Sequence, residues 1–391
     1  MVTLRSNHTY EERRVYGCMR IGIVDADLIN HSGTHYPNLA CMKLSGYHKS
    51  IGDTVELITN IYSVDFGDSI WEDDTNEFDK IYVSKVFTDT TFPKFFLKEP
   101  NVEHGGTGFF FDKAPSLPDD VEHHMPDYTL YDRWVEQQLA KGVRDSKLKF
   151  FVDYSIGFTT RGCIRQCPFC VLKNKKEVVG HSKVNEFLNK DKKFICLWDD
   201  NILAYKNWKE VFEDLKAVGK PFHFKQGMDF RLLTEEKIKV LTTVKYIDRF
   251  VFAFDNIKDE DLIKRKLDMW WKHFPLRAKF RPKFFTLCGF DREGKYDDNF
   301  WIQDVADLFE RIKILMKYQS YAYVMRHADL ENSPWKKIYT KITGWTHPMM
   351  FYKNSFREYC GEDEIVKEFE RRYPHIAEQY YDVKMEETNG N

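Results

Sequence analysis

From about residue 155 to 330 one pattern recurs: a short apolar run, a polar turn, then a segment whose apolar residues fall on one helical face. The strand candidates are "SIGFTT" (155–160), "FICLW" (194–198), "FHFKQ" (222–226), "RFVFAF" (249–254), "KFFTLC" (283–288) and "YAYVM" (321–325). Between them, "NWKEVFEDLKAVG" places Val211, Phe212, Leu215 and Val218 on one face, with Asn207 as the expected N-cap. "TEEKIKVLTTV" opens on Thr234 as cap, followed by two acids that suit the positive end of the helix dipole. "KDEDLIKRKLDMWWKHF" and "IQDVADLFERIKILMKY" repeat the arrangement. Strand starts recur at roughly 30 residues, the size of a βαβ unit. Such units predict a parallel α/β sheet curled into a partial (βα)6 barrel of the TIM type.

Each of these strands runs into polar residues. After the first run come Cys163, Cys167 and Cys170, and after the second Asp199, Asp200 and Asn201. Gln226 ends the third run and Asp229 comes just after it, while Asp255 succeeds the fourth, Gly289 the fifth, and Arg326 and His327 the sixth. Parallel α/β sheets place their sites at the carboxyl ends of strands, so a site is expected there.

Residues 1–128 read as a separate unit. "RIGIVDADL" (20–28), "TVELI" (54–58) and "DKIYVSKVF" (79–87) are strand candidates. "PNLACMKLSGYHKSIG" is a helix with Pro37 in its first turn, and "HGGTG" (104–108) is a glycine turn. This predicts an open, doubly wound domain of the Rossmann type. The segment 113–134, with three prolines and no clear period, reads as a linker. The partial barrel is expected to occupy 129–330, and 331–391 a small, helix-rich C-terminal extension.

The chain has 391 residues, enough for two domains, and 42% of them are hydrophobic. A formal net charge of −2 argues against a surface wholly devoted to nucleic acid. The polar start "MVTLRSNHTYEERR" lacks the apolar region of a secretory signal, and no apolar run approaches a membrane span. Cys18, Cys41, Cys196, Cys288 and Cys360 are scattered singly. Their use as reduced thiols, several in apolar contexts, points to the cytoplasm. "KRKLDMWWKHFPLRAKFRPK" (264–283) holds eight Lys or Arg and one acid. It reads as the wet face of an amphipathic helix, with nucleic-acid binding the less favoured alternative.

The densest chemistry is "TTRGCIRQCPFC". Three thiolates spaced C-x3-C-x2-C reach three corners of one iron–sulfur cluster from one loop. A structural zinc wants four ligands, usually as two separated pairs, and neither Cys196 nor His181 completes such a set. A three-thiolate site leaves one iron open to an outside ligand. Three structural or zinc thiols are the alternative.

On these residues the chain resembles the radical S-adenosylmethionine (SAM) superfamily, whose signature is this three-cysteine loop after the first strand of a partial barrel. The resemblance implies one [4Fe–4S] cluster on Cys163, Cys167 and Cys170, with SAM chelating the fourth iron. It implies reductive cleavage to a 5′-deoxyadenosyl radical acting on an unknown substrate, and an external electron donor such as flavodoxin or ferredoxin. Phe169 matches the family's aromatic near adenine. Asp199, Asp200 and Asn201 match the second-strand motif, where polar side chains meet the SAM amino group. Gln226 and Asp229 suit ribose or carboxylate contacts, Gly289 a close approach to adenine, and Arg326 a carboxylate or substrate anion. The loop looks especially like the subgroup with an N-terminal cobalamin-binding-type domain.

That subgroup's D-x-H-x-x-G motif is not kept. "DADLINHSGTHYPN" has Asp27, His31 and Gly33, but at the wrong spacing, so cobalamin is not expected. His31 and His35 read as loop or helix-terminus residues. Too few cysteines remain for a second cluster at either end. A cobalamin-dependent radical methyltransferase and a non-catalytic iron–sulfur scaffold are the competing readings.

Overall fold

The computed structural model describes residues 17–31, 36–64 and 77–384. Gly33 and His35 lie outside the described residues, as does the polar start of the chain. Two compact units make up the chain. The first runs to Gly157 and includes Cys170–Asn174 and Ser182–Ile195; the second takes Phe158–Phe169, Lys175–His181 and everything from Cys196 onward. Both are α/β with parallel strands.

In the first unit, β1 (Arg20–Asp25), β2 (Thr54–Leu57), β3 (Lys80–Ser84) and β4 (Val102–Gly105) form one parallel sheet in the order β2-β1-β3-β4. Five of the six residues of "RIGIVD" are buried, as a parallel strand covered on both faces requires. Ile21 and Ile23 pack with Cys41, Met42 and Leu44 of the helix Leu39–Ser50, while Val24 packs with Ile58, Ile81, Val83 and Phe96. Pro37 stands before that helix rather than in its first turn. Asn38 is the N-cap, its carboxamide oxygen accepting from the amides of Ala40 and Cys41. The "GGTG" turn docks on the end of β3, where Gly108 N–H donates to Lys85 O (2.9 Å).

The segment read as a linker is part of this unit's core. Tyr128, Leu130 and Tyr131 are buried there. Tyr128 donates from its hydroxyl to Phe187 O (2.5 Å) and accepts from Ile156 N–H (2.9 Å), beside the strand β5 (Tyr154–Gly157). Prolines break a helical period without preventing burial, and the aromatic residues decide where the segment goes.

The second unit opens with an antiparallel ribbon, β6 (Thr160–Gly162) against β7 (Val178–Gly180). Next comes β8 (Phe194–Leu197), whose last two residues belong to this unit, and then β9 (Phe222–Phe224), β10 (Val251–Ala253), β11 (Lys283–Cys288) and β12 (Tyr321–Arg326). Lys225 N–H donates to Leu197 O (2.8 Å), joining β9 to β8. A parallel bridge between Met228 and Phe252 carries the hydrogen bonding on to β10, and β10, β11 and β12 pair in parallel. The helices Trp208–Val218, Glu235–Thr242, Glu260–His273 and Asp298–Lys317 occupy the predicted segments. Thr234 caps its helix through Lys237 N–H, whereas Asn207 makes no cap bond and donates to Glu210 instead.

Phe230, Phe252, Phe284 and Trp270 form one aromatic cluster under this sheet. Trp270 is fully buried, and Trp271 donates from its indole to Tyr318 O (2.9 Å). The tryptophans of the basic segment therefore serve packing. The C-terminal helices belong to the same unit: Phe309 meets Phe356 at 5.1 Å and stacks on Tyr380 at 5.7 Å. Among the described residues no helix is long and apolar enough to cross a membrane.

Gly106 gives a test of the first unit. Its φ is +102°, and a Cβ there would lie 2.2 Å from Lys85 O. Gly106→Ala is expected to cost at least roughly 1–3 kcal/mol from backbone strain alone. An unchanged midpoint in denaturant unfolding would show that the turn is not held as described.

Candidate metal and cofactor site

The ribbon β6–β7 bounds the segment that carries the three cysteines, and the residues after β8 hold its stem. Asp199 is buried. Its Oδ1 accepts from Thr159 Oγ1 (2.5 Å), Thr160 N–H (2.6 Å) and Thr160 Oγ1 (2.7 Å), and its Oδ2 accepts from Thr159 N–H (3.0 Å). Asp200 Oδ2 accepts from Gly162 N–H (2.7 Å). Asn201 donates from Nδ2 to Cys163 Sγ (3.6 Å). Three successive residues at one strand end thus grip residues 159, 160, 162 and 163 of the stem.

Electrostatics derive from burial here. Desolvation raises the Asp199 pKa above the usual carboxylate range, and its hydrogen bonds from Thr159 and Thr160 oppose the rise. Burial also raises Asp200, against the Gly162 amide and the positive charges of Arg161 and Lys175. Gly162 has φ +100°, and a Cβ there would lie 2.3 Å from Glu177 O, so the ribbon admits only glycine at this point.

Asp199, expected as a SAM contact, is engaged by the loop stem, with three donors on Oδ1 and one on Oδ2. Asn201 differs. It is buried, and its Oδ1 has no hydrogen-bond partner among the described residues. Buried carboxamide oxygens are normally satisfied, so this one is left with acceptor capacity to spare.

The cysteines are half-buried and none is in a disulfide. Cys170 Sγ accepts from Leu172 N–H (3.4 Å), as Cys163 Sγ accepts from Asn201. Hydrogen bonds to sulfur favour the thiolate and tune a cluster's potential. Among the described residues no three His, Cys, Asp or Glu side chains are grouped to hold a metal ion. The donor set itself, three thiols on one loop with two N–H···S bonds, fits a cluster with three protein ligands.

The other predicted residues divide. Phe169 lies edge-on to Phe290 (5.4 Å), and Phe290 edge-on to His327 (4.8 Å), so the aromatic of the cysteine loop does reach the ends of β11 and β12. Asp229 is buried and doubly engaged, by Arg165 of the cysteine loop and by Arg231 Nε (2.7 Å). Arg231 continues to Asp259 (2.7 Å). Neither arginine was singled out from the sequence; "CIRQC" carries nothing to mark Arg165 as the partner of an acid sixty-four residues on. Gln226 is exposed. Gly289, with φ +77°, donates to Asp304 Oδ2 (2.8 Å), and a Cβ there would meet Leu330 at 2.8 Å. It behaves as a crowded turn glycine. Arg326 is exposed and donates to Thr340 Oγ1 (3.1 Å).

In the first unit, Asp27 accepts from Val86 N–H (2.6 Å) and Thr90 Oγ1 (2.6 Å), tying down the loop after β3. His31 stacks on Phe87 at 4.6 Å and faces Asp89 at 3.5 Å. Cys41, Cys196 and Cys288 are buried, and burial pushes the Cys196 thiol up to about 12.

No protein-family model matches the chain, and no curated protein matches it. Solved structures do. The chain is similar to the radical S-adenosylmethionine methyltransferase TsrM from Kitasatospora setae, solved with cobalamin and a [4Fe–4S] cluster bound. Identity is 11% over 79% of this chain and 75% of that one, with a TM-score of 0.49. It is also similar to the cobalamin-dependent S-adenosylmethionine radical enzyme OxsB, solved with aqua-cobalamin and S-adenosylmethionine bound. There identity is 14% over 96% of this chain and 58% of that one, with a TM-score of 0.34. Likeness of this degree assigns neither cofactor nor substrate.

The Asp199 clamp is open to a direct test. Asp199→Ala strips the acceptor from two buried amides and two hydroxyls, at roughly 1–3 kcal/mol for each buried donor left unsatisfied. Stability should fall by at least about 2 kcal/mol, with faster hydrogen exchange at Thr159 and Thr160. Unaltered exchange at those two amides would refute the clamp.

Proposed function

We propose that this chain is a radical SAM enzyme that holds one [4Fe–4S] cluster on Cys163, Cys167 and Cys170. The cluster, when bound, supplies the electron that cleaves SAM reductively to a 5′-deoxyadenosyl radical. The observation that supports this reading best is the grip of Asp199, Asp200 and Asn201 on the cysteine-loop stem. It fixes a three-thiol loop at the carboxyl ends of parallel strands, where α/β folds keep their chemistry.

The chain's own residues have separable tasks. Asp199 and Asp200 hold the loop backbone. Asn201 positions Cys163 by its N–H···S bond and presents an unpartnered oxygen to an incoming donor. An ammonium group is a donor of that kind, which makes Asn201 the candidate contact for the SAM amino group in place of Asp199. Arg165, tied to Asp229, restrains the middle of the loop. Phe169, resting on Phe290, offers an apolar wall that excludes water beside the reactive sulfonium.

The proposed enzyme is a Rossmann-type unit ahead of a partial (βα)6 barrel, working in the cytoplasm with an external electron donor. TsrM and OxsB are solved with cobalamin, so the expectation that this chain dispenses with it finds no support there, and the cofactor set proposed is the cluster and SAM.

Anaerobic reconstitution should give about four irons per chain. Changing the three cysteines together to alanine should abolish the iron and its absorbance. With dithionite and SAM the wild type should release 5′-deoxyadenosine. Iron retained by the triple variant would overturn the ligand assignment, and an intact cluster that leaves SAM uncleaved would favour an iron–sulfur scaffold.

A further inference from the structure

The second unit carries an unusual charge arrangement at the other end of its strands, the amino ends. Arg249 precedes β10, Arg281 precedes β11, and Lys283 begins β11. None of the three has a carboxylate within ion-pair distance among the described residues. Their partners are aromatic. Arg249 lies 4.0 Å from the centre of the Tyr321 ring and donates from Nη2 to the Tyr321 hydroxyl (3.0 Å). Arg281 lies 4.9 Å from the Tyr352 ring and Lys283 3.9 Å from the Tyr323 ring. The Tyr321 and Tyr352 rings touch at 4.9 Å, and Lys283 pairs in register with Tyr321, so the three cations share one neighbourhood.

This neighbourhood is only partly wet. Strand β11 alternates: Phe284, Thr286 and Cys288 are buried, whereas Lys283, Phe285 and Leu287 are half-buried. The Nε atoms of Arg249 and Arg281 are both buried with no hydrogen-bond partner among the described residues. Burial, together with the charges of Lys225 and Arg249, pushes Lys283 down to about 8. One acid, Asp248, acts on Lys283 in the opposite sense, but it is mostly exposed and lies 3.4 Å from His223 Nδ1. The imidazole of His347, stacked on Tyr323 at 3.9 Å, donates from Nε2 to Val324 O (2.8 Å); burial and the Lys283 charge lower its pKa.

Three cations among aromatic rings, with two unused guanidinium donors, cost stability unless an anion joins them. Guanidinium forks match phosphate oxygens two at a time, and more than one positive charge calls for more than one negative. We propose that the amino ends of β10, β11 and β12 form a binding site for the phosphoryl or pyrophosphoryl group of a small molecule. A small ligand is favoured over a nucleic-acid strand because the cations are set among tyrosines instead of being strung along an open face. The tryptophans of the basic segment, moreover, serve packing. The site stands independently of the cluster and SAM.

The test uses the full wild-type chain and inorganic pyrophosphate. Competitive acetylation read by mass spectrometry tracks Lys283 against the exposed Lys272. Because an anion favours the ammonium form, saturating pyrophosphate should slow Lys283 labelling at pH 7.5 roughly five-fold or more and leave Lys272 unchanged. Calorimetric titration should show Arg249→Gln and Arg281→Gln each weakening pyrophosphate binding roughly ten-fold. Lys283→Met should weaken it similarly while raising the melting midpoint at pH 7. The lowered pKa sets the sign: the fold disfavours the charged form, so the wild type gains stability as pH rises from about 8 towards the unfolded value near 10.4. Labelling unmoved by pyrophosphate, or variants that bind it as the wild type does, would overturn the proposal. So would tight binding of a single-stranded ten-nucleotide RNA by a protein that ignores pyrophosphate.

Discussion

A buried carboxylate with four hydrogen bonds fixes the stem of the cysteine loop. Asp199 leaves water at the end of β8, and the cost of burying it is offset only because two amides and two hydroxyls of Thr159 and Thr160 converge on it. The exchange is mutual. Those backbone donors sit where the chain leaves its strand for the cysteine loop, and without an acceptor they would be stranded. Asp200 and Asn201 extend the same grip to Gly162 and Cys163. Three consecutive side chains at one strand end remove much of the conformational freedom of the cysteine-loop stem.

The parallel sheet makes this possible at one end and leaves a different problem at the other. Successive strands bring the residues after them to a common edge, so Arg165, Asp229, Arg231 and Asp259 link three segments by charge-assisted bonds. Opposite charges meet there, and each is compensated. At the amino ends the cations Arg249, Arg281 and Lys283 have no carboxylate within ion-pair distance among the described residues and rest on tyrosine rings. Cation–π contacts return only about 0.5–2 kcal/mol each, too little to balance several partly desolvated charges of one sign. At one end of the strands charges of opposite sign pair, and at the other cations of one sign rest on aromatic rings.

Between the two ends runs an aromatic interior. Phe230, Phe252, Phe284 and Trp270 meet edge to face, the arrangement their quadrupoles favour. Arg311 is buried beside it, donating from Nη1 to the carbonyls of Phe254, Asp255 and Leu287. It satisfies backbone acceptors at the ends of β10 and β11 that the sheet itself leaves over. Rigid strand ends of this kind are the precondition for holding any group at a fixed distance.

How much of this could be read in the chain depends on the range of the interaction. Apolar periodicity is local, so β8 to β12 and the helices between them were legible to within a few residues, and so was the three-cysteine motif with the polar residues after each strand. Capping at Thr234 was legible for the same reason, while the start of the helix after Pro37 was misplaced by the competing cap at Asn38. The features beyond reach were set by partners distant in the sequence. Asp199 could be picked as important, but whether it faces a ligand or a loop depends on Thr159 and Thr160, some forty residues away. Segment 113–134 looks like a linker because its prolines break any period, yet Tyr128 and Tyr131 find buried partners that only folding supplies. Arg281 and Lys283 lie in a segment marked by its charge, but Arg249 and the tyrosines that join them arrive from other parts of the chain. Residue type and spacing are written along the chain; which acceptor a buried donor meets is decided in three dimensions, because desolvation forces each such group to a partner wherever the fold brings one.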